Sequence, residues 1–245
     1  MISMVGIKRL LFILLFISQT SSWGQTYSTG KITYERRTNL MKRFNDPRMK
    51  RFVNEDNKIK TEDFILYFND TISYVNAVPS SAPDEMSWMT TKNQYYQFIS
   101  REKQLSILSL FGQNVYIGDS LAERKWQITD SKRDISGYNC RKAIYQKNDS
   151  TRIYAWYTSA LIPSVGPEGF GGLPGVILGI ATEDGGVIYF AKKVEMLSEL
   201  DAAQITPSYS KNKVYSMLEF KTKIEKEYAN TPWGKRVFED LFRWL

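Results

Sequence analysis

Residues 175–196, GVILGIATEDGGVIYFAKKVEM, indicate the fold of this chain more directly than any other stretch. Two runs rich in β-branched and aromatic residues, GVILGIAT and VIYFAKKVEM, flank the short polar segment EDGG. Hairpin turns need residues that tolerate a positive φ, and Gly185 and Gly186 are predicted to supply it. Because a hairpin pairs two strands in opposite directions, the stretch predicts an antiparallel sheet.

The residues before this hairpin show the same pattern of strands and turns. In TRIYAWYTSA, the side chains of Ile153, Ala155 and Tyr157 fall on one side and those of Tyr154 and Trp156 on the other. Further strand-like runs are GKITYERR, DFILYFND, TISYVNAV, NQYYQFIS, QNVYIGD and KWQITDSKRDISGYNCRKAIYQ, whereas QLSILSLF fits a strand or a helix. Sequential strands joined by short turns favour a meander.

A helical period replaces the strand pattern near the C-terminus. A first helix is predicted to start at Ser210 or Asn212. Its apolar face comprises Val214, Met217, Leu218, Ile224 and Tyr228. A second helix is predicted to begin at Thr231, a natural N-cap followed by proline at the first helical position. We therefore expect a mainly β fold with α: a curved, open, barrel-like antiparallel meander sheet with C-terminal helices packed on it.

The N-terminus has the features of a secretory signal peptide. Two basic residues precede the apolar run Leu10–Ile17, which is too short to span a hydrocarbon core of about 30 Å. Small residues just before Gln25 predict cleavage there. Residues 1–24 are thus expected to be a signal peptide and residues 25–245 a single domain, exported and soluble after cleavage. An uncleaved N-terminal anchor is the alternative.

Charge and cysteine content narrow the range of partners. The formal net charge is +7, and many basic residues lie between Arg36 and Lys60, which we interpret as a solvated loop and strand edge. An anionic lipid or glycan surface is the alternative interpretation. Nucleic acid is not expected as a partner, because no recognition motif accompanies the charge. Cys140, as the single cysteine, is expected to pack beside a strand.

A glycine-proline corner, GPEGFGGLPG at residues 166–175, leads into the first strand of the hairpin. A phosphate-binding loop would lead into a helix, but β-branched residues follow here. The order Leu173-Pro174-Gly175 is typical of a type II turn, with Leu173 expected to plug the core. The residues assigned to this structural motif are Gly166, Pro167, Gly171, Gly172, Leu173, Pro174 and Gly175.

The segment GGLPGVILGI resembles the signature of the GLPGLI family of exported proteins of Bacteroidetes-type bacteria, with Val176 in place of the usual leucine. The residues that carry the resemblance are Trp126, Ile135, Gly137, Tyr138, Cys140, Lys142, Ala143, Trp156, Tyr157, Thr158, Ile162, Pro163, Gly166, Pro167, Gly172, Leu173, Pro174, Gly175 and Ile177. The resemblance implies an envelope protein in the periplasm or at the outer-membrane periphery, accessory to outer-membrane transport. It brings no catalytic residues, because the family has no established activity.

The absence of histidine restricts the possible chemistry. Serine–histidine and cysteine–histidine nucleophile pairs are impossible, and the commonest general base and metal ligand is missing. We therefore expect a protein that is not an enzyme, with no catalytic residues, no cofactor and no metal. Two alternatives stay open. One is a hydrolase that uses a pair of carboxylates; the other is a periplasmic copper binder that uses Met86, Trp88 and Met89.

Aromatic residues on and near the strands indicate a binding function. The residues assigned to a ligand or partner surface are Trp126, Tyr138, Tyr154, Trp156 and Tyr157. An antiparallel sheet with aromatics on both faces can curve around an apolar ligand. The simpler interpretation is that one aromatic row fills the core. The sequence thus predicts a noncatalytic exported envelope protein that binds an apolar ligand or an envelope or outer-membrane protein.

Overall fold

The computed structural model describes residues 28–43, 51–81, 86–110, 112–148, 151–207, 212–228 and 230–231. The predicted signal peptide, and the second C-terminal helix beyond Thr231, lie outside the described residues. In the segments that are described, no helix is both long enough and apolar enough to cross a membrane.

Twelve strands in the described residues form one open sheet. They are β1 (Gly30–Asn39), β2 (Ile59–Phe68), β3 (Ile72–Ala77), β4 (Gln94–Phe98), β5 (Lys103–Leu110), β6 (Gln113–Ser120), β7 (Trp126–Ile135), β8 (Tyr138–Asn148), β9 (Thr151–Thr158), β10 (Val176–Thr182), β11 (Val187–Met196) and β12 (Val214–Tyr215). Their order is β12-β6-β5-β4-β3-β2-β1-β11-β10-β9-β8-β7. Neighbours are antiparallel, except that β12 is parallel to β6.

The predicted antiparallel meander is confirmed, and the sheet is strongly curved. Strand β1 lies near the middle, with β2 to β6 on one side and β11 back to β7 on the other. Ser136, in the turn between β7 and β8, donates a hydrogen bond to the carbonyl oxygen of Ala191 on β11 at 2.7 Å. Because β9 and β10 separate β8 from β11 in the sheet, this contact requires the sheet to curl back on itself.

The predicted hairpin is formed by β10 and β11, and β10 is buried along its whole length at the centre of the main core. Gly185 has the predicted positive φ, at +66°. Gly186 does not. Its amide instead donates a hydrogen bond to Asp184 Oδ1 at 2.8 Å, so one glycine suffices to turn the chain.

Close backbone packing shapes the glycine-proline corner. Gly175 has a φ of +136°, and a Cβ there would lie 2.0 Å from the carbonyl oxygen of Thr158. Leu173 is 2% exposed, as predicted for a core plug. The hydrogen bond expected for a type II turn, from the Val176 amide to the Leu173 carbonyl, does not form: the Gly175 amide donates to the Leu173 carbonyl at 2.8 Å, and the Val176 amide donates to Leu161 at 3.2 Å. Val176 is therefore paired outside the turn.

Three helices accompany the sheet in the described residues: α1 (Leu40–Arg43), α2 (Ala202–Ile205) and α3 (Met217–Tyr228). Helix α3 begins later than predicted, because the residues before it form β12. Ser216 and Glu219 set its start: the Ser216 hydroxyl accepts from the Glu219 amide at 3.2 Å, and the Glu219 carboxylate accepts from the Ser216 amide at 2.8 Å. This reciprocal capping box is coded by the sequence SMLE.

The apolar face of α3 also differs from the prediction. Leu218 is 75% exposed, whereas Phe220 and Ile224 are buried against Leu108 of β5 and Ile117 of β6. Met217, Ile224 and Tyr228 of the predicted face do pack in this cluster, so the prediction is wrong for Leu218 and for Val214, which belongs to β12.

Candidate functional site

A buried arginine on β1 lies at the centre of the candidate site. Residues of β1 alternate between the inner and outer sides of the sheet, and Arg36 follows Ile32 and Tyr34 on the inner side. Its side chain is only 4% exposed. The interpretation of the basic run as solvated is therefore wrong for Arg36. A charge in the interior has to be paired, because burying it alone is strongly unfavourable.

Two carboxylates, a phenol and an aromatic ring surround the guanidinium of Arg36. Nη2 contacts Glu62 Oε2 at 2.5 Å, and the two residues are direct partners in the β1–β2 register. Nη1 lies 3.7 Å from Glu168 Oε1 and donates a hydrogen bond to the Tyr189 hydroxyl at 3.3 Å. The guanidinium carbon lies 4.4 Å from the centroid of the Phe64 ring. Arg36 thus joins β2 to the glycine-proline corner.

Glu168 has a strained backbone conformation inside this corner. It is 5% exposed and lies in a turn of 3-10 helix, Pro167–Gly169, with a φ of +54°. Residues with a Cβ adopt this left-handed region only when surrounding contacts hold them there. The Tyr189 hydroxyl donates a hydrogen bond to the Glu168 carboxylate, and the Tyr95 hydroxyl accepts one from Asn93 Nδ2 at 3.2 Å in the same cluster. The corner therefore places the Glu168 carboxylate next to Arg36, a role that was not predicted.

Burial and neighbouring groups together set the protonation of Tyr189, Tyr95 and Arg36. Burial raises the pKa of the Tyr189 phenol well above the ordinary value. Burial and then the charge of Glu168 raise the pKa of Tyr95 in the same way. Burial lowers the pKa of Arg36, but Tyr189, Glu62 and Glu168 outweigh it, so the pKa lies above the ordinary value. At neutral pH both phenols are therefore uncharged and Arg36 is a cation.

A polar groove opens beside the cluster, lined by the first half of β2 and by the residues that follow β3. Its volume is about 990 Å³. Glu62 belongs to both the cluster and the groove, because its Oε1 accepts a hydrogen bond from the Thr90 hydroxyl at 2.9 Å and lies 3.7 Å from Lys92 Nζ. The groove is lined by Leu40, Asn57, Ile59, Lys60, Thr61, Glu62, Asp63, Ala77, Val78, Pro79, Ser80, Ser81, Met86, Lys92 and Lys192.

Glu62 and Asp63 are neighbours on β2, but they face opposite sides of the sheet. In the register with β1, Glu62 opposes Arg36 and Asp63 opposes Glu35. Lys192 Nζ lies 3.2 Å from Asp63 Oδ2 and 3.9 Å from Glu35 Oε2. Asp63 thus pairs with Lys192 and not with Arg36. The two carboxylates that contact Arg36 are Glu62 and Glu168, which are far apart in the sequence.

The three residues considered for copper have separate roles. Met89 is 1% exposed and packs with Leu40 and Val53 in a small apolar cluster that Met86 borders. Trp88 is 57% exposed. The Met89 thioether thus fills space in the core, as methionine commonly does. Across the described part of the chain, no group of three or more cysteine, aspartate and glutamate side chains could hold a metal ion.

The aromatic residues predicted to form a binding surface are distributed over both faces of the sheet. Tyr157 is buried in the main core, and Tyr138 and Trp126 pack at its border. The indole Nε1 of Trp126 donates a hydrogen bond to the carbonyl oxygen of Gly171 at 3.0 Å. Trp126 therefore fastens the glycine-proline corner to the edge strand β7.

Tyr154 and Trp156 lie on the opposite side of β9 from Tyr157, as their alternation predicts. Cationic side chains lie over both rings. Lys142 Nζ is 4.1 Å from the Tyr154 ring centroid, and the guanidinium carbon of Arg133 is 5.4 Å from that of Trp156. The structure thus does not bring the predicted residues together in one apolar surface.

The cluster around Arg36 was not predicted from the sequence. One signal was present: in GKITYERR, Arg36 has the same alternation as Tyr34, so it falls on an apolar strand face. A basic residue in such a position implies a buried acidic partner. Nothing local identifies Glu168 or Tyr189 as that partner, because both are distant in the sequence.

The chain is similar to known proteins in sequence and in fold. Residues 32–222 match the family described as "N-glycanase peptide, N-terminal domain". Two solved structures of PNGF-II, in different crystal forms, are similar to the chain with TM-scores of 0.56 and 0.54, each at 19% identity. Each match covers 82% of this chain, but the chain spans only 34% and 33% of the two PNGF-II structures. No curated protein matches the chain.

These findings correct three expectations. The GLPGLI assignment is wrong, because residues 32–222, most of the chain, match a different family. The expectations of a protein that is not an enzyme, and of a noncatalytic binder of an apolar ligand or envelope partner, are contradicted because that family is named for an N-glycanase. The short motif was misleading, because the close contact between Gly175 and the Thr158 carbonyl oxygen requires glycine for steric reasons alone. The chain belongs to the family of N-glycanase peptide N-terminal domains.

Proposed function

We propose that the chain acts on asparagine-linked glycans as a domain of the N-glycanase type, and that the polar groove holds the glycan. The position of Glu62 carries this proposal. The buried Arg36 fixes one of its carboxylate oxygens, and the other lies beside Thr90 and Lys92 at the groove. The family match supports the reaction class, because the family is named for an N-glycanase and the matched residues, 32–222, include the whole cluster.

The groove has the chemistry that a carbohydrate requires. Sugar hydroxyls donate and accept hydrogen bonds, and the lining offers donors such as Lys92 and Asn57 and acceptors such as Glu62 and Asp63. Its volume lies at the upper end of the range for small-molecule sites, about 300–1,000 Å³. A groove of this size and polarity suits a short oligosaccharide better than an apolar ligand.

Glu62 is the residue to which we assign proton transfer. When water attacks the carbonyl carbon of an N-glycan linkage, a carboxylate within hydrogen-bonding reach accepts the proton from water and returns it to the leaving nitrogen. Lys92 places a cation near this carboxylate, where it stabilises negative charge that develops on the carbonyl oxygen. This chemistry is closer to the hydrolase alternative, although it uses one carboxylate instead of a pair, and it needs no histidine.

Mass spectrometry of a denatured N-glycosylated protein tests the proposal. Incubation with the wild-type chain is expected to lower the mass by that of the glycan, and Glu62→Gln is expected to slow this release by about 100-fold or more. Glu227→Gln is the matched control, because Glu227 lies on α3 and does not line the groove. Equal rates for the two variants would refute the role of Glu62. A folded wild-type chain that neither releases nor binds the glycan would refute the whole proposal.

A further inference from the structure

An exposed pair of aromatic rings, Phe52 and Trp88, lies near the polar groove. Trp88 is 57% exposed and Phe52 is 48% exposed. Their ring centroids are 6.0 Å apart, with the ring planes almost perpendicular. Single exposed apolar side chains are common, but two large aromatic rings in mutual contact at the surface indicate a binding site.

Buried neighbours hold this aromatic pair in place. Val53, which follows Phe52, is 8% exposed, and Met89, which follows Trp88, is 1% exposed. Both belong to the same small apolar cluster. Each exposed ring is therefore next to a buried anchor, which limits the conformational freedom lost when a ligand binds.

The segments that carry the aromatic pair also reach the groove. Asn57 lines the groove and donates a hydrogen bond from Nδ2 to the carbonyl oxygen of Phe52 at 3.0 Å. Met86 lines the groove as well, and its carbonyl oxygen accepts from the Met89 amide at 3.0 Å across the turn that contains Trp88. The aromatic pair is therefore connected to two residues of the groove lining, Asn57 and Met86.

Trp88 is the ring of the pair with an open face. Trp88 is 57% exposed, and in an edge-to-face pair the neighbouring ring covers at most one face of it. Phe52 has a further contact, because the guanidinium carbon of Arg51 lies 4.9 Å from its ring centroid. Phe52 thus supports Trp88, and Trp88 is available to a ligand.

A pyranose ring is complementary to both surfaces. Its C–H groups form an apolar, weakly positive face that pairs with the negative face of an aromatic ring, and its hydroxyls form a polar rim. We infer that Trp88, supported by Phe52, is a stacking subsite for a sugar ring of the glycan whose hydroxyls bind in the polar groove. This inference rests on the proposed glycan-directed function, and it assigns the aromatic pair to substrate recognition.

Calorimetric titration of the chain with a free N-glycan tests the subsite. The wild-type chain is expected to bind with saturable heat, and Trp88→Ala is expected to weaken binding by about tenfold or more. Trp88→Leu keeps an apolar side chain without a flat ring and is expected to lose as much, whereas Trp88→Phe is expected to retain most of the affinity. Leu218→Ala is the control, because Leu218 is exposed on α3.

The outcomes separate the subsite from the proposed function. Wild-type binding with unchanged affinity in Trp88→Ala and Trp88→Leu would overturn the subsite alone, whereas a wild-type chain that does not bind the glycan would overturn both. A glycan-free dimer that Trp88→Ala dissociates would assign the pair to self-association and would also overturn the subsite. Since Trp88 is more than half exposed, both variants are expected to unfold at the wild-type temperature.

Discussion

At the residue scale, Arg36 shows how one buried charge connects distant parts of the chain. Its partners come from β2, from β11 and from the glycine-proline corner. With Lys92 beside Glu62, two formal positive charges meet the two negative charges of Glu62 and Glu168. Neutrality of this kind makes a buried cluster tolerable, whereas removal of one member leaves its partners unpaired in a medium of low dielectric.

Replacement of Arg36 tests this dependence. Arg36→Ala is expected to lower the free energy of unfolding by about 3–5 kcal/mol, because two buried carboxylates lose their cation. Arg37→Ala is the matched control: the Arg37 side chain is 63% exposed on the same strand, so its loss is expected to change stability by less than about 0.5 kcal/mol. Urea unfolding of the two variants measures the difference. Similar free energies for both would show that the cluster does not hold the fold together.

Alkaline pH is expected to destabilise the fold, because a buried thiol and buried phenols resist ionisation in the folded chain. Burial and then the charge of Asp134 raise the pKa of the Cys140 thiol from 9.0 to about 12. Below pH 9.0 the thiol is protonated in both the folded and the unfolded chain. Above it the unfolded thiol ionises while the folded one stays neutral, so the free energy of unfolding falls as pH rises. The buried phenols of Tyr34 and Tyr189, whose pKa values are also raised, act in the same direction at higher pH.

Urea unfolding at about pH 8 and about pH 10.5 checks this sign. The free energy of unfolding is expected to be lower at the higher pH, and Cys140→Ala is expected to reduce the difference, because it removes one of the raised pKa values. A free energy of unfolding that is unchanged or higher at the higher pH would contradict this prediction.

At the scale of elements, the sequence predicts what is local. The hairpin β10–β11 follows from two apolar runs and a glycine turn, and β9 follows from its alternation, so both were predicted. The start of α3 was missed although the capping box is written in the sequence, because the apolar residue Val214 extended the helical pattern backward. Val214 and Tyr215 instead form β12 and pair with β6 in parallel. Such long-range pairing has no signature within the segment itself.

The glycine-proline corner offers a prediction about an element whose shape depends on one residue. Gly175→Ala is expected to lower the free energy of unfolding by more than about 4 kcal/mol, because the added Cβ would meet the Thr158 carbonyl oxygen at 2.0 Å. Gly137→Ala is the control, because Gly137 also has a positive φ, at +82°, but a Cβ there has no atom within 4 Å. Conformational strain alone is expected to make that variant less stable by about 1–2 kcal/mol.

Thermal and urea unfolding of the two variants separate steric conflict from strain. A greater loss in Gly175→Ala supports a corner that is fixed by backbone contact. Equal losses in the two variants would mean that the positive φ is the whole requirement at Gly175.

At the scale of the molecule, the curved sheet creates the groove and the cluster together. The pairing of β1 with β11 brings Arg36 and Tyr189 together, and the corner before β10 brings Glu168 to the same place. The sequence predicted a curved antiparallel sheet and a structural corner, yet it did not predict the site. The site joins residues from β1, β2 and the corner, and strand order across a sheet cannot be deduced from the alternation within each strand.

The central claim is that the polar groove beside Glu62 holds an N-linked glycan. Backbone amide chemical shifts of the chain, recorded by NMR during titration with a free N-glycan, test it most directly. The account predicts saturable shift changes concentrated in residues 57–63, 77–81 and 86–92, which line the groove or adjoin it, with little change in β7 and β8. Changes confined to β7 and β8, or none at saturating glycan, would contradict the claim.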